Sequence, residues 1–284
     1  MPMLFAHLHS GYPLRDKYTI KGVLGQGGFH ISYRATDDLT GRELIISEYY
    51  PDSFVEREIH DYPDVRPKSG MELAYQEMLN LSIQAAVPLI KLPYHPNLVQ
   101  VISIFRDNNT VYKVMDDVMG TTLDHYVSTD TLTERELKPI LYKILSAVNH
   151  LHGNGLVHRD IKPGKIIIRP GGEPVLLGGI TMYSMDSTEP AVIIGTPGYA
   201  PTEQMLPITP TPLMDIYALG ATFYRIITDK HPEDAFFRTE DESLADCTEL
   251  HERFSPELLS TIDKAFAVKP EDRWQSVQDW MNAL

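Results

Sequence analysis

Close to residue 117 the hydrophobic pattern of this chain passes from mostly strand-like to mostly helical, and that boundary limits the folds open to it. Before it, β-prone and apolar residues alternate with polar ones. The alternation predicts strands over 18–24, 31–35, 43–49, 99–105 and 110–116. Turn residues separate them at Gly25-Gln26-Gly27-Gly28-Phe29, Thr40-Gly41 and Asp107-Asn108-Asn109. Such alternation supports an antiparallel sheet with one covered face. The stretch 51–70 is rich in Pro and Asp and reads as a loop. A helix is predicted over 72–90, with Leu73, Met78, Leu81 and Ile83 among its apolar positions and Pro88 expected to end or kink it.

From Leu123 onward the spacing is helical. Thr133-Glu134-Arg135-Glu136 offers a capping box ahead of a helix ending near His152-Gly153. Two strand-like runs, 165–169 and 174–177, flank a Gly171-Gly172 turn. Helices follow over 214–228, 256–267 and 277–284. A sheet-rich first third and a helical remainder predict an α+β architecture in two lobes.

The chain has 284 residues, 43% of them hydrophobic, enough for a sizeable core. No apolar run reaches membrane-spanning length. The first nine residues lack the basic flank of a signal peptide. A single cysteine, Cys247, cannot form an internal disulfide, so a reducing cytoplasm is the simplest setting; secretion without a cleaved signal stays open. The formal net charge of -14 opposes binding to nucleic-acid phosphates and to anionic membranes, so neither is an expected partner.

In chain order, Leu24-Gly25-Gln26-Gly27-Gly28-Phe29, His158-Arg159-Asp160, Gly195-Thr196-Pro197 and Asp215-Ile216-Tyr217 make a set that resembles the serine/threonine protein kinase domain, its bacterial branch in particular. Leu24-Gly25-Gln26-Gly27-Gly28-Phe29 resembles the Gly-rich loop. Glu48-Tyr49-Tyr50-Pro51, with the later Arg66-Pro67-Lys68-Ser69-Gly70, is similar to the bacterial third strand and its linker. His95-Pro96-Asn97-Leu98-Val99 resembles the segment after helix C, and Leu156-Val157-His158-Arg159-Asp160-Ile161-Lys162-Pro163-Gly164-Lys165 the catalytic loop. The run from Gly195 through Thr196-Pro197 to Glu203-Gln204 is similar to the end of the activation segment. Asp215-Ile216-Tyr217-Ala218-Leu219-Gly220 and Glu271-Asp272-Arg273 resemble two large-lobe landmarks. The resemblance implies a bilobal kinase-like fold. Residues 1–17 are then a lead-in and 18–284 a single domain, with a small sheet lobe at about 18–117 and a helical lobe at about 118–284.

The resemblance also implies roles. Gly25, Gly27 and Gly28 would approach nucleotide phosphates, Met115 is the gatekeeper, and Asp116, Asp117 and Val118 form the hinge. Asp160 keeps the position of the catalytic base and Lys162 that of its phosphate-contacting neighbour. Asp215 would support the catalytic loop, and Glu203 would pair with Arg273.

Four positions depart from the pattern. His30 replaces the third loop glycine, where a ring would crowd the turn. Ser47 replaces the third-strand lysine, and a hydroxyl cannot pair with phosphate charge. Lys165 stands where the family has an Asn, and Gly178 where it has the Asp of Asp-Phe-Gly, the two metal ligands. An ammonium has no lone pair and glycine no side-chain oxygen, so neither supports a hard metal ion. The glutamate that would pair with the third-strand lysine falls near Gln84 or Ala85; Glu77 could serve only in another helix register. Lys165 could contact phosphate or pair with Asp160. Lys113, on the face of Met115, could supply another cation.

The resulting expectation is a catalytically inactive kinase-like domain, a pseudokinase, working as a protein-binding or allosteric regulatory module. An active kinase, a phosphatase or a host protein is the expected partner. No cofactor or metal is expected, and ATP without metal would bind weakly. A noncanonical ATP-dependent transferase, for example of adenylyl groups, and a metal-independent nucleotide sensor are the alternatives. Thr181, Ser184, Ser187 and Thr188 could accept phosphate from another kinase.

Overall fold

The computed structural model describes residues 7–57, 63–129, 132–178, 182–185, 187, 195–238 and 243–284. The chain divides into two units. One comprises Met1–Leu92 with Gln100–Asp117, the other Pro93–Val99 with Val118–Leu284.

The first unit is built on an antiparallel sheet of β1 (Pro13–Leu14), β2 (Tyr18–Gln26), β3 (His30–Asp37), β4 (Glu43–Tyr49), β7 (Val101–Asp107) and β8 (Thr110–Asp116). Between β4 and β7 lie a two-stranded ribbon, β5 (Val55–Glu56) and β6 (Arg66–Pro67), and helix α1 (Glu72–Lys91). The sheet order is β1-β2-β3-β4-β8-β7. The β7–β8 turn holds Asn108 and Asn109 at φ 47° and 54°, the paired left-handed conformation of a type I′ hairpin.

Several expectations need correction here. The lead-in supplies a strand, because Leu14 is fully buried and pairs with Tyr18. The 51–70 loop contains the β5–β6 ribbon. The buried face of α1 is Tyr75, Leu79, Ser82, Ala86 and Leu89, whereas Leu73 is 87% exposed. Tyr75 sets this register by stacking on Tyr49 of β4 at 6.5 Å. Pro88 lies within the helix, three residues before its end, and the helix runs on to Lys91.

The sheet is also covered on both faces at its centre. Every residue of β8 from Thr110 to Met115 is buried. On one face sits α1. On the other a carboxylate, Glu48, is wholly buried. It accepts hydrogen bonds from the Tyr33 and Tyr112 hydroxyls, both at 2.6 Å, and pairs with the Arg57 guanidinium. Tyr33 in turn accepts the Leu8 N–H at 3.1 Å. Asn108 links Tyr112 to Tyr12, at 2.9 and 3.1 Å. Glu48 therefore ties the N-terminal segment and the ribbon loop to the sheet. Buried charge persists only where its oxygens are fully satisfied, as here.

The second unit is mainly helical. Short strand β9 (Thr121–Thr122) leads into α2 (Leu123–Thr129), followed by α3 (Glu134–Gly153) and β10 (Leu156–Val157). The capping box forms as the spacing predicts, with the Thr133 N–H donating to Glu136 at 2.9 Å. Next come a single 3-10 turn (Pro163–Lys165), β11 (Ile166–Ile168), β12 (Pro174–Leu176) and β13 (Tyr183–Ser184). The β11–β12 turn holds Gly171 and Gly172 at φ 99° and 85°. Helices α4 (Pro212–Thr228), α5 (Pro256–Ala265) and α6 (Val277–Asn282) complete the unit. Helix α4 is buried on nearly every side, with Met214 through Phe223 all inaccessible, which makes it the unit's central post. Among the described residues, no helix is long and apolar enough to cross a membrane.

Candidate functional site

In the first unit, strand pairing fixes the neighbours of Ser47. Ser47 of β4 stands opposite Ser32 of β3 and Lys113 of β8. Directly opposed residues on neighbouring strands share a face. That face therefore carries two hydroxyls beside one ammonium, with Ser47 and Lys113 both buried. Along α1, Gln84 and Glu77 are exposed and Ala85 is half-buried.

The Gly-rich segment is an extension of the β2–β3 hairpin. Gly25 pairs with Ser32, Gln26 with Ile31, and the Gly27 N–H donates to the His30 carbonyl at 2.8 Å. A Cβ built on Gly25, Gly27 or Gly28 meets nothing within 4 Å, so packing does not demand glycine there. The His30 ring packs edge-on to Tyr49 at 5.7 Å, its cross-strand partner. Met115 is buried, Asp116 pairs with Arg42 at 2.5 Å, and Asp117 lies 3.5 Å from Arg34. Val118, half-buried, begins the longer segment of the second unit.

In the second unit the catalytic-loop segment hangs from Asp215 of α4. This carboxylate accepts the backbone N–H groups of His158 and Arg159, both at 2.7 Å, and the His152 Nε2–H at 2.8 Å. Burial pushes the Asp215 pKa up, but the His152 hydrogen bond and nearby positive charge prevail and hold it below the usual carboxylate range. Arg159 is kept at φ 66°, an unfavourable region for a side-chain-bearing residue, and its carbonyl accepts from Gln204 at 2.9 Å. Burial lowers the pKa of His158, which bridges the Leu177 carbonyl at 2.9 Å and the Asp160 N–H at 3.2 Å. Its Nδ1 accepts and its Nε2 donates, so the ring is a neutral organiser of the loop.

Asp160 is held by three groups. The Thr196 hydroxyl donates to it at 2.9 Å, Lys162 Nζ lies at 2.9 Å, and Lys165 Nζ at 3.8 Å. Lys162 also donates to Thr196 at 2.9 Å. Thr196, although part of a recognised motif, carried no assigned role in the sequence; only the fold brings it against Asp160. Glu203 and Arg273 form the expected bidentate pair, at 2.5 and 3.3 Å, with Arg273 almost wholly buried.

Gly178 faces an apolar wall. A Cβ there would lie 3.2 Å from Met182 Cε and 3.6 Å from Val99 Cγ1. A hard divalent cation requires several oxygen ligands. Here one expected ligand is an ammonium and the other is a hydrogen atom among methyl groups. Among the described residues, no group of three or more His, Cys, Asp or Glu side chains is placed to hold a metal. The residues present do not fit magnesium. Residues 179–181 lie outside the described residues, with Thr181 among them, as does Thr188. Ser184 lies in β13, and the Ser187 carbonyl accepts from Tyr183 at 3.3 Å.

Comparison with known proteins supports the resemblance. The family model described as protein kinase domain matches residues 18–283. The chain is 28% identical to serine/threonine-protein kinase PknA of Nostoc sp. over 285 aligned residues, covering 95% of this chain and 47% of that protein. It is 27% identical to serine/threonine-protein kinase B of Synechocystis sp., again over 95% of this chain but 46% of that protein. The chain thus spans about half the length of these curated relatives. Among solved structures, "PpkA-294 apo form" is 33% identical with a TM-score of 0.82, covering 98% of this chain and 99% of that one. A point mutant of the PknI kinase domain of Mycobacterium tuberculosis matches in fold with a TM-score of 0.71 at 18% identity, over 98% and 97% of the two chains. On the match of the family model and the likeness to these kinases, the chain belongs to the protein kinase domain family.

Proposed function

We propose that this chain is a pseudokinase: a kinase-fold protein that lacks metal-dependent phosphoryl transfer and works as a protein-binding or allosteric module. The observation that carries this reading is the pair Lys165 and Gly178, which stand where two metal ligands are needed. Phosphoryl transfer depends on positioning and on cations that neutralise developing charge. Losing one preorganised electrostatic group commonly lowers the rate by ~10²–10³. Here both metal ligands and the lysine position at Ser47 are replaced, and although such losses do not add, the remaining rate is negligible.

The scaffold supports the same reading. Asp215 and the Glu203–Arg273 pair keep the contacts of the scaffold landmarks, while Ser47, Lys165 and Gly178 stand at chemistry-bearing positions. A domain kept in shape without its chemistry serves by presenting surface. Its partner would be an active kinase, a phosphatase or a host protein.

The test is a phosphorylation assay with generic and self substrates, in magnesium and in manganese. Activity is expected to be indistinguishable between wild type and Asp160→Ala. Phosphate incorporation that vanishes in Asp160→Ala would sink the proposal.

A further inference from the structure

We infer that the Asp160 loop is a metal-independent site for a phosphate-bearing anion, with the Lys165 ammonium serving where a divalent cation would otherwise stand. The inference rests on the preceding reading that metal chemistry has been lost from this loop.

Charge balance motivates it. Two ammonium groups, Lys162 and Lys165, face a single carboxylate, so the cluster keeps one uncompensated positive charge. This occurs in a chain whose formal net charge is -14. Side-chain exposures of 29% and 31% for the lysines, against 15% for Asp160, leave the cations more accessible than the anion they share.

The two lysines are also unequal. Lys162 is committed to Asp160 and Thr196, both at 2.9 Å. Lys165 sits 3.8 Å from Asp160, beyond hydrogen-bond distance, and among the described residues no acceptor lies within that distance of its Nζ. An ammonium carries three N–H donors. Its backbone is nevertheless pinned: the Lys165 N–H donates to Lys162 and the Leu177 N–H to the Lys165 carbonyl, both at 2.8 Å. A positioned cation with unspent donors beside a second cation is a receptor for phosphate oxygens. The ligand class is a phosphate ester or polyphosphate, and a nucleoside triphosphate and free polyphosphate both present that chemistry.

The consequence inverts the usual metal dependence. Magnesium bound to a triphosphate removes negative charge and brings an ion that this loop cannot ligate. Binding should therefore weaken as magnesium is added. Replacing Asp160 by Asn removes the opposing charge while leaving an acceptor for Thr196, so it should tighten binding, by about threefold or more.

The experiment is titration calorimetry of the full chain at low salt in EDTA, with ATP and tripolyphosphate as separate probes, repeated in excess magnesium. Wild type should bind at least one probe in EDTA and bind it more weakly in magnesium. Lys165→Met should lose at least ~10-fold in affinity, the worth of one charge-assisted hydrogen bond. Lys165→Arg should retain binding, which separates loss of the cation from loss of the fold. Binding of tripolyphosphate would identify the phosphates alone as the ligand; binding of ATP only, still dependent on Lys165, would identify the nucleotide. No binding of either probe in EDTA, or equal binding by a folded Lys165→Met protein, overturns the inference and leaves the pseudokinase reading intact. Binding that requires magnesium, together with Asp160-dependent phosphorylation, overturns both.

Discussion

Removing the Glu48 carboxylate should damage the first unit more than any surface change could. Glu48 and Arg57 have side-chain exposures of 0% and 5%, so Glu48→Ala removes a wholly buried carboxylate from its pairing with the Arg57 guanidinium. Breaking one half of a buried pair costs about 3–5 kcal/mol. The Tyr33 and Tyr112 hydroxyls also lose their acceptor, but the vacated volume and the remaining Asn108 contact offset part of that loss. At about 2–4 °C per kcal/mol for a chain of this size, the midpoint should fall by roughly 6–20 °C. Both tryptophans, Trp274 and Trp280, lie in the second unit, so indole fluorescence follows that unit, whereas tyrosines lie in both and near-UV dichroism follows the two together. In Glu48→Ala the dichroism should begin to melt before the indole signal. A double-mutant cycle sharpens the test: Glu48→Ala with Arg57→Ala should be much less damaging than the two single changes summed. A loss below about 1 kcal/mol for Glu48→Ala, or simple additivity with Arg57→Ala, would refute the hub.

Two other outcomes are expected. Burial holds the His158 pKa below its usual value, so the unfolded chain takes up a proton that the folded one refuses. Its contribution to stability is full above the ordinary histidine pKa of about 6.5 and declines as pH falls below it. Urea melts at pH 7.5 and 5.5 should show wild type losing more stability than His158→Asn, and equal losses would contradict the assignment. Separately, the triple change Ser47→Lys, Lys165→Asn and Gly178→Asp should create a magnesium-dependent ATP thermal shift that wild type lacks. Gly178→Asp alone should create none, because Lys165 would still stand beside Asp160; a shift from the single variant would show that the lysine is no obstacle.

Local pattern foretold local structure. Strand β4 over Glu43–Tyr49 and β8 over Thr110–Asp116 are legible from alternation, and the capping box from four consecutive residues. The placement of Ser47 follows from the adjoining Glu48-Tyr49-Tyr50-Pro51, and β-pairing sets it in the sheet. What escaped depends on distant partners. Leu73 fits a helical stripe, yet the stacking of Tyr75 on Tyr49 chose a different face. The strand at Pro13–Leu14 has too few residues to show a period. The contact of Thr196 with Asp160 spans 36 positions, and that of Tyr112 with Glu48 spans 64. A glutamate in an alternating strand also reads as solvent-facing until a second layer is known to cover it.

The methyl groups over Gly178 have an evolutionary consequence. On the proposed reading Gly178 has lost a carboxylate, and such a position is open to reversal only while the space around it stays hospitable. Met182 Cε and Val99 Cγ1 line that space, and an ammonium has taken the neighbouring ligand's post. A lone reversion to aspartate would place a fresh charge among methyls and gain no ion in exchange. Selection would therefore see the first backward step as a loss, although the complete set of steps could restore a ligand sphere. On that reading the loop would behave as a ratchet, with the methyl groups around Gly178 making a change there hard to undo.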